Sequence, residues 1–277
     1  MSDLNLDAIK EASVHDGADS PVVQHLSDEA KSSLGDCELP TGYLDETGTL
    51  FKDAMLREIT GEEEDILTSK KMHVQMKMNK ILENCVLSIG PHRQGSSEWS
   101  RILKSLTASD RLYLILKIRI VSLGAMFSFK VKCTSEECGK HSNQTVSLEE
   151  FMVRGLPNPK QRTWAGKLPR SGFEYHARVQ SGFEEDVLSR QKDTESLMTM
   201  ALAVRMVDLN GKAPVDLKTL KQLGVADRQY LRDDFEKHEG AIENEVDVMC
   251  PHCMHEFKVP IDIGDPSFFF PSSMRKS

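Results

Sequence analysis

Two stretches decide how the chain is read: DRLYLILKIRIVSLGAMFSFKVKC (residues 110–133) and DRQYLRDDFEKHEGAIENEVDVMC (residues 227–250). Both open with Asp-Arg-x-Tyr-Leu, and both end in a cysteine 23 residues on. The likeness extends outward from them. Upstream, REITGEEEDIL (57–67) parallels RVQSGFEEDVL (178–188), and Gly61/Gly182, Glu63/Glu184, Asp65/Asp186 and Leu67/Leu188 all lie 121 residues apart. Gly90 and Gly211 keep that offset, whereas Asp110/Asp227 and Cys133/Cys250 lie 117 apart. The second copy is therefore four residues shorter in the connection between its helices. A shared order of features with a single length change is the signature of an internal duplication.

The copies also agree physically. Thr60-x-x-Glu63 and Ser181-x-x-Glu184 are capping boxes, each opening a helix whose first-turn acids suit the helix dipole. Apolar residues at helical spacing predict that the first helix runs to about Gly90 and its counterpart to about Asn210. A second helix starts near Asp110, mostly apolar and so buried, and near Asp227, amphipathic and so on the surface. Alternating stretches predict strands at 127–133 and 143–148, at 244–250 and 256–263, and ahead of the capping boxes at 53–59 and 173–179. The fold class read from this is α+β: two strand-helix-helix-strand-knuckle-strand units related by a pseudo-twofold.

Charge marks the boundaries. Residues 1–48 hold eleven acids against two lysines, while the remainder holds 32 acids against 33 bases. The overall charge of −8 therefore belongs to the N-terminal segment. That segment has no periodicity and reads as a flexible or extended acidic leader. The first repeat then spans 49–153, and the second spans 173–277. Between them RGLPNPKQRTWAGKLPRSG, rich in bases and proline, reads as a linker over 154–172. No apolar run is long enough to span a bilayer, and the polar N-terminus is no secretion signal. These features place the chain in a reducing cytoplasm. The balanced charge of the repeats argues against a dedicated nucleic-acid binder.

Four of the six cysteines come in pairs, Cys133-TSEE-Cys138 and Cys250-PH-Cys253, each at the tip of an expected hairpin. That is the construction of a zinc knuckle, and each knuckle supplies half of a tetrahedron. Neither repeat closes a site alone, so the pattern predicts one structural Zn²⁺ held by Cys133, Cys138, Cys250 and Cys253 between the copies. Disulfides do not suit a reducing compartment, and a redox Cys-x-x-Cys opens a helix instead of joining strands. His141, His252 and His255 lie close enough to replace a thiolate but read as surface residues. Cys85 reads as a small buried hydrophobe and Cys37 as idle. No P-loop, dinucleotide fingerprint, H-E-x-x-H or G-x-S-x-G is present. The E-E-D clusters are explained as helix-start acids, so the chain reads as no enzyme and takes no small-molecule substrate.

These features resemble a family from phages with contractile tails, the T-even-type baseplate, or baseplate hub and tail assembly, proteins. The resemblance covers about residues 48–271. It rests on LREITGEEEDIL, LTASDRLYLILKIRIVSLG before the first knuckle, VDLNGK, DRQYL and the terminal VMCPHCMHEFKVPIDIGDPSFFFP. It implies a structural or assembly role through contacts with other baseplate and tail proteins, with homo-oligomers arranged in a ring. The chain would act in the host cytoplasm during assembly and, if retained, in the virion tail. The chain departs from the family pattern in the wider first cysteine spacing and the long acidic leader. Phe268, Phe269 and Phe270 either cover the chain's own core or dock onto a partner. Two alternatives stay open: an assembly chaperone absent from the virion, and a nucleic-acid-binding zinc-ribbon factor.

Overall fold

A computed structural model describes residues 34–190 and 196–270. The bulk of the acidic leader, residues 1–33, lies outside the described residues. From Leu34 onward the leader is a strand, β1 (Leu34–Leu44), which pairs antiparallel with β2 (Leu50–Arg57). Alternation explains the strand: Leu39, Thr41 and Tyr43, two apart, are buried.

The chain continues through α1 (Gly61–Thr68), α2 (Val74–Cys85), β3 (Val86–Ile89), β4 (His92–Arg93), α3 (Trp99–Ser105) and α4 (Ala108–Leu123). Strands β1 to β4 form one sheet in that order. The helix expected from Thr60 to Gly90 is therefore two helices and a strand. Helix α1 stops at Thr68, where the buried Lys77 ammonium donates to the Leu67 carbonyl at 2.7 Å. The apolar run Val86–Ile89 leaves the helix because its backbone groups pair with β2. Periodicity alone does not separate a buried strand from the end of a buried helix.

After the first knuckle hairpin, β5 (Met126–Lys132) and β6 (His141–Ser147), come β7 (Val153–Arg154), β8 (Thr163–Lys167) and β9 (Glu174–Arg178). The stretch expected as a linker thus supplies β8, which pairs with β9, and its Trp164 is buried. The second unit continues with α5 (Gly182–Ser189), α6 (Leu197–Ala203), β10 (Met206–Leu209), α7 (Leu217–Gln222) and α8 (Val225–His238). Strand β11 (Ala241–Ile242) pairs with β7, and the second knuckle hairpin is β12 (Glu245–Met249) with β13 (Glu256–Pro260).

The two halves of the chain share several local features. Both capping boxes form, Thr60 with Glu63 and Ser181 with Glu184. Strand β2 meets β3 as Ala54–Ile89, Met55–Ser88 and Leu56–Val86, skipping Leu87. Strand β9 meets β10 as Tyr175–Leu209, His176–Asp208 and Ala177–Met206, skipping Val207. The same register carries the same bulge. Gly90 (φ +52°) donates its N–H to the Asp53 carbonyl, and Asn210 (φ +53°) donates to the Glu174 carbonyl. The structural counterpart of Gly90 is therefore Asn210, one residue before the glycine that the sequence pairs with it. Asparagine is one of the few other residues that tolerates this left-handed conformation.

Each Asp-Arg pair is wired alike. Asp110 accepts the backbone N–H groups of Thr41 and Gly42 at 2.9 and 3.0 Å, and Asp227 accepts those of Arg170 and Ser171 at 2.8 Å each. Arg111 donates through one terminal nitrogen to the Leu103 carbonyl and through the other to Asn79. Arg228 does the same to the Leu220 carbonyl and to Thr199.

Two apolar cores result, one per unit. The first is closed by the far end of the chain: Ile261, Ile263, Phe268 and Phe269 pack among Leu114, Ile115, Ile118 and Phe127. Phe268 and Phe269 are only 2% and 1% exposed, so within this chain both cover its own core. Phe270 is half-buried beside them. Arg119, itself buried, holds the tail in place. It donates to the Phe268 carbonyl at 3.2 Å and lies against the rings of Phe127 and Phe268. The second core gathers Trp164, Tyr175, Leu209, Leu220, Leu231 and Phe235.

Candidate metal centre

Each knuckle sits on a two-stranded hairpin closed by one backbone bond. Cys133 N–H donates to the Lys140 carbonyl, and Cys250 N–H donates to the His255 carbonyl, both at 2.9 Å. The residue after the second cysteine is left-handed in both, Gly139 at φ +54° and Met254 at φ +60°. That reversal returns the chain to the outgoing strand and leaves both sulfurs of a hairpin on one side. The wider first loop makes up its two extra residues with a turn in which Cys138 and Gly139 N–H both bond the Ser135 carbonyl.

The hairpins meet tip to tip. Cys133 Sγ lies 3.7 Å from Cys253 Sγ, and Cys138 Sγ lies 3.8 Å from Cys250 Sγ. All four sulfurs fall within 4.8 Å of one another. A tetrahedron with bonds of about 2.3 Å has edges of about 3.8 Å, so the cross-hairpin spacings are those of four thiolates around one zinc-sized ion. Cys133 and Cys250 are buried, while Cys253 is exposed at the rim.

The electrostatics favour a cation. The backbone N–H of His252 is the main cause that brings the Cys250 thiol down to about 6. The N–H of His255 pulls Cys253 the same way, but burial and the neighbouring sulfurs outweigh it and push that thiol up to about 12. One thiolate forms readily and resists its neighbours' ionisation. A bound dication removes that penalty. The donor set therefore fits Zn²⁺, for which it would supply a closed, structural coordination shell.

Polar contacts around the cluster join the two hairpins. His255 Nε2 lies 3.1 Å from Thr134 Oγ1 and its ring stacks on Phe257, so it is engaged in this bridge. Gln144 donates from the first hairpin to the Met249 carbonyl of the second at 3.0 Å. His141 and His252 are outside the cluster. Cys85 is wholly buried, and burial pushes its thiol up to about 12; burial likewise raises Cys37, in β1, to about 11.

A second junction, at the helices, escaped the sequence reading. Glu185 accepts from Arg111 Nε at 2.8 Å and from Gln75 at 3.0 Å. Asp186 takes Lys104 at 2.7 Å and Asn79 at 2.8 Å. Beside them Ala108 N–H donates to the Gln180 carbonyl at 2.9 Å. The E-E-D cluster of the second unit thus does more than start a helix: Glu184 closes the capping box, and the next two acids clamp the first unit. Only the pairing across the fold reveals this, because the local pattern is the same in the first unit, where Glu64 and Asp65 are exposed.

No curated protein and no solved structure matches the chain. Among the described residues, no helix is long and apolar enough to cross a membrane. Residues 50–271 match the family model described as the T4 bacteriophage base plate protein. That match runs from β2 to the tail and includes both knuckles, and by it the chain belongs to the T4 bacteriophage base plate protein family.

Proposed function

We propose that the protein is a non-enzymatic structural component of a contractile tail baseplate, in its hub or wedge region. It acts through protein–protein contacts, its two duplicated units stapled by one structural Zn²⁺. The single observation that carries the reading is the cross-hairpin cluster. Four thiols, two from each unit, stand at the spacing of a closed four-sulfur site. Such a site leaves no open position for a substrate or an activated water, so its binding energy is spent on folding.

The duplication is supported by the shared strand register, the shared bulge and the two Asp-Arg constellations. On this reading the first repeat begins at β1 and the second at β8, since the two strands stand in the same relation to the strand that follows each of them. The pseudo-twofold is proposed for the knuckles alone, because the helices of the two units are joined in one direction only. Baseplate proteins fit as partners because a zinc-stapled, doubled body presents two like but non-identical faces.

Native mass spectrometry of the purified chain tests the staple, with one zinc per chain expected. Quantitative mass spectrometry of purified particles tests the role, with the chain present in a fixed ratio to other tail proteins. A chain absent from particles yet essential for tail formation would favour the chaperone instead.

A further inference from the structure

The junction between the helices of the two units is one-directional, and that leaves two ends without an inter-unit partner among the described residues. In it, the start of α5 offers Gly182, Glu185 and Asp186 to Arg111 and Lys104 of the first unit. A side chain on Gly182 would strike the Arg111 guanidinium, at 2.8 Å. By the repeat, the same three positions in the first unit are Gly61, Glu64 and Asp65. There a Cβ on Gly61 meets nothing within 4 Å, and both acids are exposed with no ion-pair partner among the described residues.

The receiving end is repeated as well. Arg228 and Lys221 stand where Arg111 and Lys104 stand, with Gly224 and Val225 in place of Thr107 and Ala108. Arg228 uses its two terminal nitrogens as Arg111 does. Its Nε, the atom that in Arg111 holds Glu185, has no acceptor among the described residues. Lys221 is exposed, with its ammonium donating to Ser196 Oγ at 2.8 Å, a Cβ on Gly224 would meet nothing within 4 Å among the described residues, and Val225 is 80% exposed.

We propose that the chain associates head to tail with a second copy of itself. The start of α1, with Gly61, Glu64 and Asp65, seats on the Lys221, Val225 and Arg228 face of the neighbour. The chain's own inter-unit contact is the template, and the charges at the two ends are complementary. A contact of this kind uses two different surfaces, so it repeats from copy to copy and builds a ring or a linear array. The inference rests on the equivalence of the two units and not on the baseplate role. It therefore stands or falls with the purified protein alone.

Sedimentation velocity on the zinc-loaded full chain, across a concentration series at low salt, tests it. Wild type is expected to form species larger than one chain, receding as salt is raised. Charge reversal at either end, E64K/D65K or K221E/V225E, is expected to weaken association at least about tenfold. An equimolar mixture of the two variants is expected to recover it. Arg228→Lys, which keeps the charge and loses the Nε donor, is expected to weaken it less. All four positions changed in the two double variants are exposed, and circular dichroism with zinc content checks that the variants fold. A wild-type chain that stays single up to its solubility limit would overturn the proposal. So would association indifferent to both reversals, or a mixture that fails to recover.

Discussion

Helices α4 and α8 occupy the same place in the two units and share the same Asp-Arg start, yet they live in different surroundings. Leu114, Ile115, Leu116 and Ile118 of α4 are buried, covered by β1, β2 and the C-terminal tail. In α8 only Leu231 and Phe235 are buried among the apolar residues, Val225 and Tyr230 are exposed, and most of the other positions are charged. The difference comes from what the chain wraps around each unit. The tail that follows the second knuckle returns to the first unit, where Arg119 and Phe127 receive Phe268. The first core is thereby closed by the segment that follows the second knuckle. Such a difference is compatible with like wiring because hydrogen bonds and caps set the local geometry, while burial sets the composition.

The largest effect should come from the place where the units are most alike. Replacing Cys133 and Cys250 by serine, or stripping the ion with a chelator, should abolish zinc binding. The loss of stability should be several kcal/mol, read by thermal unfolding alongside elemental analysis. If the units were independent, the knuckles would come apart with little change in either core.

The two buried aspartates sharpen the comparison. Asp110→Ala leaves two buried N–H donors without an acceptor and should cost about 3 kcal/mol in urea unfolding. Asp227→Ala should cost less, because Arg170 and Ser171 are exposed and water replaces the lost acceptor. Equal costs would mean that the surroundings of the two units do not differ as described.

The arginines ahead of the capping boxes should separate by a smaller margin. Arg57 bonds the fully buried Glu63 through both terminal nitrogens, at 2.8 and 2.9 Å. Arg178 reaches Glu184 only at 3.6 Å and is itself 47% exposed. Arg57→Ala should therefore cost about 2 kcal/mol, and Arg178→Ala less than about 1, by the same measurement.

Acid should act on the first unit through the same group. Burial on its own would raise Glu63, but Arg57, the Thr60 N–H and Asn84 together bring it from 4.5 to about 2. Its folded value is thus below its unfolded one, so its contribution is complete above about pH 4.5 and is lost as pH falls through 2. Unfolding followed from pH 5 to pH 2 should show this loss, and Glu63→Gln should flatten it.

Much of this was legible beforehand because it depends on short-range chemistry. Capping boxes, knuckle spacing and alternating strands are local patterns, and all of them formed where they were read. What the local pattern left open was decided by contacts across the fold. Val86–Ile89 is apolar enough for either a helix end or a strand, and pairing with β2 decided it. Thr163–Lys167 lies among prolines and bases, yet β9 offered it an edge. Phe268 and Phe269 are aromatic in either an interface or a core, and Arg119 settled them in the core.

The sequence by itself carried two like sets of motifs, the starts of the two capped helices and the paired spacing of four cysteines. Those properties are written in residues a few positions apart, whose geometry follows from bond lengths and backbone dihedrals. Only the tertiary structure decided that the four sulfurs meet, that the tail closes the first core and that the helical junction runs one way. Each of these joins residues distant in the chain, and burial and charge pairing select among partners that the local pattern leaves equal.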